Sequence, residues 1–261
     1  MFSIKLIFVA ILCHFTLGYP YVKKLSPEQV HRLKTWTEDD KQNIWELSGQ
    51  VEGDMVLTDN QRNGLIETYY RWTNNVIPYE IDAAFTAEEA EWIQSSLDAY
   101  AENSCVTVRR KVESDIDYVY VTGEDSGCWS YVGRFGGKQT INLQKSAIGS
   151  GCLRSGTIVH EFLHAAGFYH QQSASDRDDF VDIIWDNIQQ GTESNFAKYT
   201  EDKVTDFGEG YDYDSVMHYG EYAFSANGER TIVPKDPTAV IGQRIGMSEK
   251  DINKLNKMYC S

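Results

Sequence analysis

Residues 160–170 have the sequence HEFLHAAGFYH, in which three histidines and one glycine hold fixed spacings. On an α-helix, residues four apart lie on the same face, so we expect His160 and His164 to point at one cation. We expect Gly167 to end the helix, because glycine accepts the positive φ of helix ends, and His170 to return to the metal from outside the helix. Three imidazoles and an open position for water are typical of catalytic zinc, so the stretch predicts one Zn²⁺.

Glu161 and a second histidine motif extend the predicted metal site. Glu161 directly follows His160, so its carboxylate lies close enough to polarise a bound water without being a ligand in the same row. Zinc lowers the pKa of a bound water toward neutrality, which makes Glu161 a candidate general base. Residues 215–219 have the sequence SVMHY. A lone HExxH can arise by chance on a solvated helix face, but the extended motif with a downstream SxMxY is far more restrictive.

With both motifs in view, the chain resembles the astacin family of metzincin zinc endopeptidases. The match is carried by the two motifs and by flanking residues, namely Cys152, Gly156, Thr157, Ile158 and the DRD of residues 176–178. The resemblance implies an α+β fold with two lobes, a first lobe with a mixed sheet and the zinc helix and a second, irregular lobe. It also implies a metalloendopeptidase that hydrolyses peptide bonds in proteins and holds one zinc ion per subunit.

The resemblance assigns a role to the residues of the two motifs. It implies that zinc is bound by His160, His164 and His170. Glu161 is then the general base. Met217 is expected to form an apolar floor beneath the metal, although a buried methionine alone would be an ordinary core residue. Tyr219 is expected to be a fifth zinc ligand at rest and to swing out to stabilise the tetrahedral intermediate.

Two positions depart from the pattern of the family. The family has a glutamate directly after its third histidine, where this chain has Gln171. That glutamate meets the buried N-terminal ammonium of the mature enzyme, and a neutral amide should hold the ammonium less strongly. Ala174 stands where a basic residue is frequent, which removes a local ion pair. Neither change touches the expected metal ligands, so we expect activity to be retained.

The first residues predict export from the cell. An apolar run from Leu6 to Leu17 follows Lys5 and ends before the small residue Gly18, which is typical of a secretory signal peptide over residues 1–18. The alternative, a membrane anchor, needs a longer apolar run, and no other stretch is apolar enough to span a bilayer. We therefore expect a secreted, extracellular protein with no membrane partner.

The cysteines fit an oxidising compartment. Beyond the predicted signal peptide the cysteines are Cys105, Cys128, Cys152 and Cys260. An even number in a secreted chain implies disulfides, and four cysteines allow three pairings. A cysteine zinc site is disfavoured, because the sequence lacks paired C-x2-C spacings. The resemblance implies the pairs Cys105–Cys260 and Cys128–Cys152.

Residues 19–62 predict a propeptide. They mix many charges with a short helical stretch near residues 29–36, and they contain too few apolar residues for a core of their own. Residues 51–54, VEGD, resemble the F-x-G-D switch of the family. The resemblance implies that Asp54 binds the zinc of the zymogen and displaces its water. The alternative is an ordinary Gly-Asp turn.

A candidate activation site follows the switch. Arg62 precedes Asn63, so we expect a trypsin-like protease to cut between them. The position of Asn63 relative to residues 72–79 also matches the mature start in the family. The cut would release a zinc metalloprotease catalytic domain over residues 63–261.

The catalytic domain has the sequence patterns of an α+β fold. Helices are predicted at residues 157–166, at residues 248–258, and at residues 87–101 after a Thr86-x2-Glu89 capping box. Strands are predicted at residues 76–81, 106–111, 117–122 and 140–144. The resemblance implies that the strand at Thr140–Gln144 is the edge strand that pairs with an extended substrate.

The composition limits the possible partners. The net charge of −15 argues against nucleic acid, which calls for clustered lysine and arginine. The basic run at residues 109–111 is expected on a solvated strand face. We expect a monomer that acts on protein or peptide substrates. In some relatives a basic residue near Arg154 selects acidic side chains just after the scissile bond, and the alternative for Arg154 is a surface residue without that role.

Two other functions fit the sequence less well than a protease does. A binding protein could keep the fold without the chemistry, but the intact ligand set and Glu161 count against it. A different zinc hydrolase, such as an amidase, is disfavoured by the SxMxY motif and the predicted propeptide. Only Ser261 follows Cys260, so we expect a minimal form without EGF-like or CUB-like accessory domains.

Overall fold

The computed structural model of the chain describes residues 22–40, 42–57, 68–201 and 203–260. The predicted signal peptide, the predicted cut after Arg62 and the predicted new N-terminus at Asn63 lie outside these residues. Within the described ranges, no helix is both long enough and apolar enough to cross a membrane. We call the described residues 22–57 the N-terminal segment and residues 68–260 the main domain.

Most of the described helices and strands lie before residue 167, and regular structure is sparse after it. The helices are α1 (Pro27–Thr35), α2 (Ala87–Asn103), α3 (Ser155–Ala166) and α4 (Glu249–Tyr259). The strands are β1 (Met55–Val56), β2 (Val76–Ile81), β3 (Thr107–Arg110), β4 (Tyr118–Thr122), β5 (Cys128–Tyr131), β6 (Lys138–Leu143), β7 (Val181–Ile183) and β8 (Ile232–Pro234). Each helix and strand predicted from the sequence begins and ends within two residues of an observed one.

Side-chain caps begin three of the four described α-helices, α1, α2 and α4. In α2 the hydroxyl of Thr86 accepts a hydrogen bond from Glu89 N at 3.2 Å, and the Glu89 carboxylate accepts one from Thr86 N at 2.7 Å. This is the predicted capping box, which satisfies two backbone donors that a helix start leaves unpaired. Equivalent boxes begin α1 at Ser26 and α4 at Ser248.

A mixed sheet supports the zinc helix. Among the described residues, its six strands lie in the order β1-β5-β6-β4-β2-β3. The pairs formed by β2, β3, β4 and β6 are parallel, whereas β5 runs antiparallel to β6. One face of β4 buries Val119 and Val121 completely in the core that also contains the apolar side chains of α2 and α3. Tyr118 and Tyr120 lie half-buried on the other face, as the alternation predicts.

The prediction that residues 140–144 form the edge strand of the sheet is wrong. The predicted strand at Thr140–Gln144 corresponds to β6, which lies inside the sheet between β5 and β4. The strand on its outer side is β5, which the sequence pattern does not reveal. All four residues of β5 are buried, so the strand lacks polar and apolar alternation, and glycines at 127 and 133 on either side predict turns instead.

The N-terminal segment adds the strand β1 to the outer edge of this sheet. β1 pairs with β5 in parallel, with Met55 opposite Ser130 and Val56 opposite Tyr131. The segment also contributes Leu33, Ile44 and Trp45 to the main hydrophobic core. Its few apolar residues therefore pack against the main domain, in agreement with the expectation that the segment has no core of its own.

Beyond α3 the chain is largely irregular. In the described residues after α3, the only strands that pair are β7 and β8, in antiparallel register, and α4 is the last helix. Both disulfides that the resemblance implies are present, with Cα–Cα distances of 5.8 Å for Cys105–Cys260 and 5.5 Å for Cys128–Cys152. The first ties the end of α4 to the end of α2, and closing so long a loop stabilises the fold by roughly 3–5 kcal/mol.

Candidate active site

Two glycines position α3 and the chain that follows it. A Cβ atom on Gly156 would lie 2.0 Å from the carbonyl oxygen of Arg244, so only glycine allows the helix to pass that backbone. Gly167 has φ 113° and ends the helix, and its N–H donates to His164 O at 2.8 Å. The turn at Gly167 brings His170 back toward the face that carries the first two histidines of the motif, as the spacing predicts.

Three imidazoles and one carboxylate converge on one point. Ligand atoms of four buried residues all lie within 4.8 Å of one another, namely Asp54, His160, His164 and His170. Asp54 Oδ2 is 3.2 Å from His160 Nε2. Asp54 Oδ1 is 3.5 Å from His164 Nε2 and 3.2 Å from His170 Nε2. The structure thus brings together all the residues that the sequence analysis names as metal ligands, except Tyr219.

The chemistry of this cluster fits a metal cation. In the described part of the chain, His164 Nε2, His170 Nε2 and Asp54 Oδ1 are buried without a hydrogen-bond partner. Buried polar atoms without partners cost free energy, and a cation at their centre would satisfy all three. Three imidazole nitrogens with one carboxylate oxygen form a four-ligand set that zinc prefers, whereas magnesium and calcium prefer oxygen alone.

The outer nitrogen of each histidine has its own partner. His160 Nδ1 lies 2.9 Å from Val216 O, and His164 Nδ1 lies 2.7 Å from Phe168 O, so both rings donate to backbone carbonyls of the main domain. His170 Nδ1 instead lies 2.9 Å from Glu52 Oε2, a side chain of the N-terminal segment. In all three rings the Nδ1 hydrogen points outward, which leaves the Nε2 lone pair for the metal.

Glu161 lies beside this cluster without a partner of its own. The side chain is fully buried, and neither carboxylate oxygen accepts a hydrogen bond from any described residue. Burial and the nearby negative charge of Asp54 raise the pKa of Glu161 well above its ordinary value. A carboxylate with a raised pKa accepts a proton more readily than an ordinary one, which is the property that a general base requires.

The second motif forms one wall of the site. Met217 is buried in the main core, and its N–H donates to Ser215 Oγ at 3.1 Å. The ring of Tyr219 lies 4.8 Å from the ring of His170, and its hydroxyl donates to the carbonyl oxygen of Glu52 at 2.5 Å. With the N-terminal segment in place, the Tyr219 hydroxyl is therefore held by that segment, and its expected role as a resting zinc ligand stays a prediction.

The fourth histidine of the main domain lies outside this group of candidate metal ligands. His218 is fully buried, and its Nε2 lies 2.7 Å from the hydroxyl of Tyr211. Its Nδ1 lies 2.7 Å from Tyr219 O. Both ring nitrogens are therefore used in holding the loop of the second motif.

Comparison with known proteins agrees with this geometry. A family model described as Astacin, a peptidase family, matches residues 64–260. The chain belongs to the astacin family. Two relatives from Caenorhabditis elegans are Zinc metalloproteinase nas-13, 42% identical over 199 residues, and Zinc metalloproteinase nas-4, 41% identical over 225 residues. These matches cover 76% and 82% of this chain, and 43% of nas-13 and 70% of nas-4.

A solved structure with the same fold is also known. It is high choriolytic enzyme 1, a hatching enzyme zinc-protease from Oryzias latipes, with a TM-score of 0.66 and 38% sequence identity. The match covers 73% of this astacin and 92% of the fish protein. The astacin-like α+β fold is therefore confirmed, and the zinc that the donor set favours is the metal named in all three relatives.

Gln171, the departure from the astacin pattern, has a partner that the sequence analysis missed. Lys254 Nζ donates to Gln171 Oε1 at 2.7 Å, and both side chains are buried. The two residues lie 83 positions apart, so no local pattern links them. In this form of the astacin chain, the acceptor expected to meet the new N-terminus is therefore occupied by a lysine. The second departure, Ala174, packs half-buried against the core.

Arg154 contacts the N-terminal segment. Its guanidinium forms an ion pair with Glu38 at the start of α3. The other carboxylate oxygen of Glu38 accepts hydrogen bonds from Ser150 Oγ at 2.7 Å and from Gly151 N at 2.8 Å. Arg154 therefore helps to form a carboxylate-binding contact, which a glutamate of this chain fills.

The N-terminal segment of this astacin also fills the space beside the four candidate metal ligands. The ring of Trp45 lies 4.8 Å from the ring of Tyr219, 6.0 Å from that of Phe224, and 5.5 Å from the guanidinium carbon of Arg244. Glu46 accepts a hydrogen bond from Phe224 N at 2.8 Å. Burial raises the pKa of Glu46 to about 7. These contacts have no signal in the sequence, because the segment shows no motif at residues 44–48.

Proposed function

We propose that this astacin is the zymogen of a secreted, zinc-dependent endopeptidase. Residues 1–18 are its signal peptide, residues 19–62 its propeptide and residues 63–261 its catalytic domain. One observation carries the proposal, the convergence of three histidines and Asp54 beside the unpartnered carboxylate of Glu161. Hydrolysis requires three metal ligands with a base beside them. Latency requires a group that occupies the fourth coordination position of the metal, as the Asp54 carboxylate would.

Three imidazoles would hold the metal in the active enzyme, those of His160, His164 and His170. A zinc ion held there supplies a Lewis acid that lowers the pKa of a water and polarises the substrate carbonyl. Glu161 takes the proton of the attacking water and then delivers it to the amine nitrogen of the leaving group. Once the Glu52 carbonyl has left, the hydroxyl of Tyr219 is free to donate a hydrogen bond to the oxyanion of the tetrahedral intermediate.

Latency would come from Asp54 and from the strand that follows it. The Asp54 carboxylate lies where a water would have to sit, within 3.5 Å of an Nε2 atom of all three histidines. β1 covers the outer edge of β5. Removal of both by a trypsin-like cut after Arg62 would open the metal and expose the edge of β5, so that an extended protein or peptide substrate could pair with that edge.

The remaining properties follow from composition and the relatives. Relatives named as zinc metalloproteinases and a hatching enzyme zinc-protease support protein or peptide substrates. Two disulfides support an oxidising, extracellular compartment. The net charge of −15 disfavours nucleic acid as a partner, and we propose a monomer without a membrane partner.

The test is casein hydrolysis by the recombinant full chain before and after trypsin treatment, with and without a zinc chelator. We expect hydrolysis only after trypsin, loss of hydrolysis with chelator, and a new N-terminus at Asn63 by N-terminal sequencing. A zinc-loaded, correctly processed protein that cleaves no protein substrate would contradict the endopeptidase, and an active form that begins elsewhere would contradict the cut after Arg62.

A further inference from the structure

His170 differs from the other two histidines in the origin of its outer hydrogen-bond partner. His160 and His164 donate to carbonyl oxygens of residues 216 and 168, which belong to the main domain. His170 donates to the carboxylate of Glu52, which belongs to the N-terminal segment. The main domain thus fixes two of its three imidazoles, and the segment fixes the third.

The Glu52 side chain is held firmly in this position. Only 2% of the residue is exposed. The oxygen that meets His170 also accepts from Ser173 Oγ at 3.1 Å, and the other oxygen accepts from the hydroxyl of Tyr199 at 2.5 Å. Three donors of the main domain therefore converge on one carboxylate, and hydrogen bonds to an ionised acceptor are roughly twice as strong as neutral ones.

The backbone of Glu52 is anchored as well. Its N–H donates to Asn195 Oδ1 at 3.2 Å, and its carbonyl oxygen accepts from the hydroxyl of Tyr219 at 2.5 Å. Its φ of 49° lies in the left-handed region, which costs free energy for a residue with a Cβ. Contacts on both the side chain and the backbone hold this conformation.

We propose that Glu52 is a positioning residue for the metal site, so that the N-terminal segment strengthens metal binding as well as blocking the site through Asp54. A carboxylate that accepts the outer N–H of a ligating histidine fixes its tautomer and ring orientation and raises its basicity. The inference rests on the proposed role of His170 as a zinc ligand. It follows that removal of the segment leaves His170, Ser173 and Tyr199 without this acceptor, and that the processed enzyme holds zinc less tightly than the full chain.

The test is the zinc affinity of the full chain, measured with a competing chromophoric chelator after the protein has been made metal-free. We expect Glu52→Gln to raise the Kd for zinc about tenfold or more, the usual effect of losing such an outer partner. The matched control is Glu28→Gln, which removes an exposed glutamate of the same segment and should leave the Kd unchanged. Equal affinities of the wild type and Glu52→Gln would overturn the inference.

Two further variants separate an effect of Glu52 on His170 from an effect on the placement of Asp54. Asp54→Asn removes the fourth ligand, and the effect of Glu52→Gln should persist in that background if it acts through His170. An effect that disappears there would mean that Glu52 acts only by placing Asp54, which overturns the inference. Tyr199→Phe should weaken zinc binding by a smaller factor and should not add fully to Glu52→Gln, because both changes affect one hydrogen-bond network.

The readout distinguishes this inference from the proposed function. If the wild-type full chain binds no stoichiometric zinc, the proposed function itself fails. If the wild type binds zinc and the variants bind it equally well, only the positioning role fails. Should Glu52→Gln not fold, as judged by circular dichroism and formation of both disulfides, Ser173→Ala and Tyr199→Phe test the same contact from the main domain.

Discussion

The N-terminal segment and the main domain contribute different chemical groups to the contacts between them, mainly acceptors from the segment and donors from the main domain. The segment supplies carboxylates, of which Glu46, Glu52 and Asp54 are buried and Glu38 is exposed. The main domain supplies the donors and imidazoles that meet them. The main domain also holds its donors on its own helices, strands and disulfide-tied loops, whereas the segment buries Leu33, Ile44 and Trp45 in the core of the main domain.

We propose that this difference allows the segment to be removed without loss of the main domain. Each of these carboxylates occupies a group of the main domain, and Leu33, Ile44 and Trp45 of the segment pack into the main core. Removal of the segment would leave a folded domain with a free strand edge, a free metal position and several unpaired donors. We therefore expect changes in the main domain to affect catalysis and changes in the segment to affect latency and its attachment.

The largest expected effect tests whether the chemistry belongs to the main domain alone. In trypsin-processed enzyme, Glu161→Gln should lower casein hydrolysis by about 10²–10⁴-fold, because no other described group is placed to accept the proton of the attacking water. Zinc content, measured by atomic absorption, should be unchanged. The matched control is Glu102→Gln at an exposed position of α2. Residual activity within tenfold of the wild type would exclude Glu161 as the base.

The next effect tests whether the segment depends on the main domain for its packing. Trp45→Ala should lower the free energy of unfolding of the full chain by about 3–5 kcal/mol, since the ring is almost completely buried among main-domain side chains. Urea unfolding followed by circular dichroism measures this change. Trp185→Ala, at a tryptophan that is 51% exposed, should cost far less. A similar loss for both tryptophans would contradict the packing argument.

Asp54→Asn tests latency directly. In a chain that also carries Arg62→Ala and so resists the predicted cut, the change should raise hydrolysis of a fluorogenic peptide by about 10–100-fold. The physical reason is that a neutral amide binds a cation and the site's histidines more weakly than a carboxylate does. The control is Asp39→Asn, at an exposed position of the same segment. If both uncleaved variants stay equally inactive, latency comes from the covered strand edge alone.

The fourth prediction concerns the pH dependence of the attachment. Burial raises the pKa of Glu46 from 4.5 to about 7, so the folded chain binds this proton more tightly than the unfolded chain. The resulting stability is present below about pH 4.5 and is lost as the pH rises through about 7. Between pH 5 and pH 8 the wild type should therefore lose about 1–3 kcal/mol of unfolding free energy more than Glu46→Gln. Equal losses in parallel urea titrations would contradict the raised pKa.

The smallest effect concerns the exposed ion pair between Glu38 and Arg154. Its contribution to unfolding free energy should be less than about 1 kcal/mol in a double-mutant cycle, because solvent screens an exposed pair.

Removal of the segment would free Arg154 to meet an acidic side chain just after the scissile bond. In processed enzyme, Arg154→Ala should therefore reduce the preference for Asp or Glu at that substrate position in a peptide-library cleavage profile. An unchanged profile would remove this role for Arg154.

The first half of the main domain could be predicted from sequence because its signals are local. The capping box at Thr86, the alternation at residues 118–122 and the helix of residues 155–166 all depend on neighbours within a few positions. β5 escaped prediction because burial on both faces removes the alternation. The error then placed the edge of the sheet at β6, since nothing local to residues 138–143 shows that another strand covers it.

Part of the candidate site could also be predicted from local sequence signals. His160, His164 and Glu161 belong to one helix face and its neighbour, and Gly167 predicts the turn that returns His170, so spacing alone was enough for them. Asp54 was found only through a resemblance of four residues, VEGD. The partners Glu52 and Lys254 had no signal, because each lies more than eighty positions from the residue that it contacts.

Local spacing and residue type therefore predicted the helix that carries His160 and His164, the return of His170, the place of Glu161 beside them and the α+β character of the domain. The tertiary structure decided which strand of the main domain lies under β1, which group orients each imidazole, and where Trp45 and Tyr219 lie. The physical reason is that a period of two or 3.6 residues is set by the backbone itself. A hydrogen bond between distant residues is set by how whole segments pack, and no short stretch of sequence records that packing.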